Sequence, residues 1–180
     1  SPEAELGEHL MRVRTKSGLS GVKSFWVGQF ETVSEIEPNS EFATPQTVPF
    51  NSTIEGILEN EDVDYYVIEA KKGQRISTEV EGIRLGNAFY DPYVAILNME
   101  RFELAASDDT ALLLQDSTAS IVAPTDGKFI IQIRESSYTG NGACRYRLHV
   151  GSFPRPMAVY PAGGPVGNDL EVKLIGDSTG

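Results

Sequence analysis

The sequence predicts an all-β protein built on an antiparallel, jelly-roll-like β-sandwich, and three observations carry that expectation. Apolar residues recur with a period of two rather than 3.6, turn residues fall at short regular intervals, and some runs are apolar on both faces, as inner sandwich strands are.

Met11, Val13 and Thr15 alternate with Arg12, Arg14 and Lys16, so Leu10 to Lys16 reads as a half-buried strand. Ser17-Gly18-Leu19-Ser20-Gly21 turns it into a second strand, Phe25 to Val27. From Gly28 to Pro49 the chain is polar and acidic, and Pro38, Pro45 and Pro49 stiffen it as a joint. About eight strands are expected between Thr53 and Gly151. Ile76, Thr78 and Val80 alternate with Ser77, Glu79 and Glu81, and Tyr146, Leu148 and Val150 with Arg145, Arg147 and His149. Tyr93 to Leu97 and Phe129 to Ile133 are the runs apolar on both faces. Lys72-Gly73-Gln74 and Thr125-Asp126-Gly127 are tight reversals, and Asn141-Gly142 sits in a longer loop. Pro154, Pro156, Pro161 and Pro165 mark a second joint, followed by one alternating strand at Leu170, Val172 and Leu174. The predicted organisation is therefore a partial module at 1–30, a sandwich at 31–153 and another partial module at 154–180.

Among 180 residues, 26 acidic against 15 basic side chains give a net charge of −11, which disfavours a phosphate backbone as partner and favours cations or simple solubility. No apolar run reaches the roughly 20 residues of a membrane-spanning helix, so no membrane insertion is expected. Ser1 to Gly7 is polar, so any export signal is expected upstream or is absent altogether. The single cysteine, Cys144, excludes an internal disulfide and a thiolate zinc cluster, and is expected to be a small core residue. Asn51-Ser52-Thr53 fits a glycosylation triplet and equally the start of a strand.

No catalytic or cofactor-binding residue is expected. Of two histidines, His9 precedes a strand in an incomplete module, and alternation puts His149 on a wet face as a solvated residue. The chain has no Gly-x-Ser-x-Gly elbow, His-Glu-x-x-His pair, Walker-type loop or dinucleotide-binding glycine pattern. Asp108, Asp109 and Asp116 surround a loop, where aspartates fold back onto backbone N–H groups, with cation binding as the alternative. Two further oxygen-rich groups are Glu35, Glu37 and Asn39, and Asp62 with Asp64; each pair of acids shares one side of an extended chain. Hard oxygen donors of this kind suit calcium.

The order of several short motifs is distinctive. It runs Glu35-Ile36-Glu37-Pro38-Asn39, Gly56-Ile57-Leu58, Asp62-Val63-Asp64-Tyr65-Tyr66, Lys72-Gly73-Gln74, Arg84-Leu85-Gly86 and Asp91-Pro92. Asp108-Asp109, Gln115-Asp116-Ser117, Ala123-Pro124 with Gly127, and Tyr146 to Gly151 complete it. From about Glu35 to Gly151 this resembles the bacterial pre-peptidase C-terminal (PPC) domain family, compact β-sandwiches found beside secreted peptidases and in large surface proteins. The resemblance implies a non-catalytic accessory module of a secreted or cell-surface protein, a spacer or a platform for extracellular protein or carbohydrate; the alternative is an appendage for secretion or maturation of a peptidase. Some relatives, including collagen-binding domains of bacterial collagenases, hold calcium between an acidic linker and the first core strands. Glu35, Glu37, Asn39, Asp62 and Asp64 occupy comparable places here and form the implied metal set, with a solvated acidic linker as the alternative. Ser40 stands where an aspartate would add a ligand, and Pro38 restricts the linker. Tyr138 and Tyr146 sit at positions of structural aromatics, so the aromatic stripe of collagen binders is not carried over.

Arg12-Val13, Ser17 to Ser20 and Phe25-Trp26-Val27-Gly28 resemble the closing hairpin of an immunoglobulin-like module, and Ala158 to Gly164 the opening strand of the next. The implied partners are neighbouring modules of a longer chain, or a second copy through a swapped dimer.

Overall fold

The computed structural model describes residues 3–177 and separates into two compact units, Ser1–Glu31 and Thr32–Gly180. In the first, β1 (Gly7–Met11) pairs antiparallel with β4 (Lys23–Val27), and β2 (Arg14–Thr15) with β3 (Gly18–Leu19). Thr15 Oγ1 accepts a bond from Ser17 N at 3.3 Å, so the reversal is tighter than the Ser17–Gly21 turn expected. The expected half-burial is absent as well. Leu10, Met11 and Val13 are exposed, because a two-stranded ribbon has no second layer within its unit to cover either face.

The second unit holds all but the first residue of the edge strand β5 (Glu31–Ser34), followed by β6 (Gln46–Thr47), β7 (Ser52–Ile57), β8 (Val63–Ala70) and β9 (Arg75–Glu81). Next come β10 (Pro92–Leu97), β11 (Glu103–Ser107), β12 (Thr118–Val122), β13 (Gly127–Glu135) and β14 (Arg145–Gly151). Two five-stranded sheets result, ordered β11-β10-β13-β8-β6 and β12-β9-β14-β7-β5. One pair departs from the antiparallel expectation: β6 runs parallel to β8, with Gln46 opposite Tyr66.

Between the sheets lie Ile54, Tyr66, Ile68, Ile76, Val80, Ile96, Ile131, Tyr146 and Leu148, with the free thiol of Cys144 among them. Burial of this apolar area is the main force holding the layers together. Across the first sheet, Val67, Ala95, Leu97 and Ile130 form a second cluster under Phe42, Tyr65 and Tyr93. That second cluster is why β10 and β13 are apolar on both faces.

β9 breaks the alternation rule. Ser77, Glu79 and Glu81 were expected on a wet face and are buried instead, because cations and a following segment cover them. Glu81 Oε2 lies 2.7 Å from Arg147 Nη1 and 3.3 Å from His149 Nε2. Glu79 lies 2.9 Å from both Arg84 and Arg155. Burial opposes ionisation of Glu81, yet His149 and the arginines outweigh it and hold the carboxyl below its ordinary range. His149 is therefore not the solvated residue expected: its side chain is 17% exposed, and its Nδ1 lies 2.8 Å from Thr53 Oγ1.

The chain after β14 lies over this face. Ser77 Oγ donates to Phe153 O at 2.6 Å, and Asp177 Oδ1 meets Arg75 Nη1 at 2.7 Å. Between these anchors, β15 (Ala158–Tyr160) pairs with β16 (Lys173–Ile175). The partner strand is only three residues long, so Leu170 and Val172, expected in the last strand, precede it.

Asp116 takes the turn-shaping role anticipated for the loop acids. Its Oδ1 accepts from Gly82 N at 2.9 Å and Ile83 N at 2.8 Å, and its Oδ2 from Arg84 N at 3.3 Å and Arg84 Nε at 2.6 Å. Asp108 and Asp109 are exposed.

Candidate functional site: an acidic, tyrosine-lined cluster

The sandwich brings the linker acids against two core tyrosines. Asn39 O accepts from Tyr65 N at 3.0 Å, and Glu35 N donates to Glu55 O at 3.0 Å, so backbone pairing fixes residues 35–39 across β7 and β8. Glu35 Oε2 also accepts from Ile57 N at 3.0 Å. Gly56 makes room for this approach, since a Cβ there would lie 2.4 Å from the Tyr146 hydroxyl and 2.8 Å from Glu35 Oε1.

Glu35, Glu37 and Asp64 offer carboxylate oxygens all within 4.8 Å of one another, an arrangement able to hold a metal ion. Asp64 is fully buried on β8. Asn39, also buried, donates from Nδ2 to Glu35 Oε1 at 3.4 Å and to the Tyr66 hydroxyl at 3.3 Å, and its backbone N–H donates to Glu37 Oε2 at 3.0 Å. Asp62 is occupied elsewhere. One of its oxygens accepts from Ser40 Oγ at 3.1 Å and the other from Glu59 N at 3.2 Å, so it shapes the β7–β8 turn.

Tyr66 and Tyr146 complete the cluster. Their hydroxyls are 2.5 Å apart; Tyr146 also lies 2.7 Å from Asp64 Oδ2 and 2.9 Å from Glu35 Oε1, and Tyr66 lies 3.2 Å from Glu35 Oε1. Burial, together with the neighbouring carboxylates, pushes both phenols well above their ordinary pKa, so each keeps its proton. Two hydroxyl protons cannot serve four oxygen–oxygen contacts. A proton on a carboxyl reduces that deficit, and a bound cation would do the same. Burial first, and then Glu35 beside it, raise the Asp64 pKa far above its ordinary value. Glu37 is raised too, by burial, then by Asp62 and Glu35, against the lowering bond from Asn39 N–H.

Two buried oxygens in the cluster, Asp64 Oδ1 and Asn39 Oδ1, have no hydrogen-bond partner among the described residues. Buried carboxylate and amide oxygens are rarely left so, because each loses its hydration without return. Hard oxygen donors, excess negative charge and unpartnered lone pairs together fit a hard divalent cation. The tyrosines were missed as members of the site: Tyr146 was read as a structural aromatic and Tyr66 as part of a motif. The available signal was Gly56 inside a strand, which marks a close approach by another group.

No family model matches the chain, and no curated protein matches it. Among solved structures it is similar to the pre-peptidase C-terminal domain of a collagenase from Bacillus anthracis, at 15% identity over 59% of this chain and 93% of that one, with a TM-score of 0.45. It is also similar to PliG of Aeromonas hydrophila, a periplasmic inhibitor of g-type lysozyme, at 14% identity over 58% of this chain and 96% of that one, with a TM-score of 0.41.

Proposed function

We propose that the chain is a non-catalytic accessory module of a secreted or cell-surface protein, a spacer and binding platform in which calcium fastens the acidic linker to the sandwich. The observation that carries the calcium reading is the pair of unpartnered buried oxygens, Asp64 Oδ1 and Asn39 Oδ1, inside a cluster short of protons. Glu35, Glu37, Asp64 and Asn39 would hold the ion. The ion supplies charge neutralisation and no reaction step. By joining residues 35–39 to β7 and β8, it sets the path of the linker toward neighbouring modules.

Terbium, which takes calcium sites and is sensitised by tyrosine, tests this directly. Emission excited through Tyr66 and Tyr146 should appear on titration, be displaced by calcium and vanish in Glu35→Gln. Extracellular sites bind calcium with a Kd of about 0.1–1 mM, so tenfold saturation adds about 1.4 kcal/mol. Absence of sensitised emission, with identical melting in calcium and chelator, would remove the calcium reading.

A further inference from the structure

The sandwich has four edge strands, and three are guarded against pairing with another chain. β6 is two residues long between Pro45 and Pro49. β11 begins with Glu103, and its pairing with β10 is interrupted by a register shift. The end of β5 is capped by Gln46, whose Nε2 donates to Ser34 O at 3.0 Å and whose Oε1 accepts from Ile36 N at 2.9 Å. Short length, charge, bulges and caps are the usual protections of an edge.

β12 has neither short length, charge nor bulge, and its one cap lies at Thr118. Thr118, Ala119, Ser120, Ile121 and Val122 carry no charge and no proline, and their register with β9 is uninterrupted. Val80 N bonds Ser117 O at 2.9 Å and Ala123 N bonds Gln74 O at 2.8 Å, so the odd-numbered residues bond β9. Thr118, Ser120 and Val122 therefore direct their N–H and C=O groups outward. Thr118 N is satisfied by Thr110 Oγ1 at 3.0 Å. Among the described residues, the backbone groups of Ser120 and Val122 have no such partner. A groove of about 210 Å³ runs beside this edge, lined by Thr118, Ser120, Asp109, Thr110, Arg155 and Asp177. Arg155 is held by Glu79, and Asp177 by Arg75, whereas the exposed Asp109 carboxylate next to Asp108 forms no ion pair among the described residues.

We propose that the β12 edge accepts an extended, lysine- or arginine-bearing segment of another protein as an added strand. Outward backbone groups recognise main chain of any sequence, and side chains over the groove supply selectivity. The exposed Asp108 and Asp109 carboxylates at one side of the groove favour a basic incoming strand. They also argue against a second copy of this chain, because each copy carries a net charge of −11. This gives the binding-platform part of the proposed function a partner, and it stands or falls separately from the cation site.

The test uses the full chain and the capped peptide Thr-Lys-Val-Lys-Val-Thr-Val, followed by amide exchange and NMR shifts. The amides of Ser120 and Val122 should be protected at least tenfold. A peptide of the same composition, N-methylated on its bonding edge, should lose binding at least tenfold, as should Val122→Pro, which removes one outward donor at a position where an edge tolerates proline. Asp109→Lys should weaken binding at least fivefold. If Val122→Pro unfolds, the methylated peptide still decides. Equal binding of the methylated peptide, protection at another edge, or self-association through β12 would each overturn the proposal.

Discussion

Asp116→Ala is expected to lower unfolding stability by about 3–5 kcal/mol, the range for removing one partner of a buried charge pair. Asp116 has no exposed surface and receives four hydrogen bonds, three from the backbone of Gly82, Ile83 and Arg84 and one from the Arg84 guanidinium. Alanine would strand three N–H donors in the interior and leave Arg84 dependent on Glu79 and Val80 O. At about 2–4 °C per kcal/mol for a chain of this size, melting should fall by about 6–20 °C. Asp116→Asn keeps one acceptor oxygen and should lose less. A urea titration showing either variant within about 1 kcal/mol of the parent would mean that the loop reorganises and the bonds carry little.

The second large effect is in pH. Without a divalent cation, stability should fall as pH rises from about 5 to about 8, the reverse of ordinary acid denaturation. The Asp64 carboxyl has a folded pKa raised above its ordinary 3.8, so between the two values the folded state binds more protons than the unfolded state. Stability then declines with pH, by at most about 1.4 kcal/mol per unit for one group. Glu37 and Asp91 are shifted in the same direction, so each acts with the same sign just above its ordinary range. Glu81 is held low, so its stabilising contribution is lost only as pH falls below its ordinary 4.5, outside this window. Asp64→Asn should flatten the profile, and calcium should flatten the parent's by taking the place of the proton. Denaturant titrations across the range check it; a rise with pH in chelator would refute the protonated Asp64.

The strand pattern was legible because alternation reports which side chains meet the core. Tyr146, Leu148 and Val150 face inward as their spacing requires, and β7 to β14 fill the stretch expected to hold about eight strands. The same rule failed at β9, since alternation tells apolar from polar but not wet from covered. Glu79 and Glu81 are buried by Arg84, Arg147 and Arg155, which come from elsewhere in the chain. In the acidic cluster, Glu35, Glu37 and Asp64 were legible as oxygen donors on either side of a joint. Asp62 looked equivalent to Asp64, yet it lies one turn of alternation earlier, outside β8, where Ser40 Oγ and Glu59 N claim its oxygens. Local hydrogen bonds of this kind leave no periodic trace.

The span of the cluster along the chain bears on time as well as on stability. Tyr146, on the last sandwich strand, meets Glu35 across 111 residues and Asp64 across 82. Closures of that length come late in folding, after the local hairpins, because chain entropy opposes them until other contacts are in place. Contacts absent from the transition state act on escape from the native basin and leave the rate of reaching it unchanged. Whatever tightens this cluster, proton or cation, should therefore lengthen the lifetime of the folded sandwich without speeding its formation.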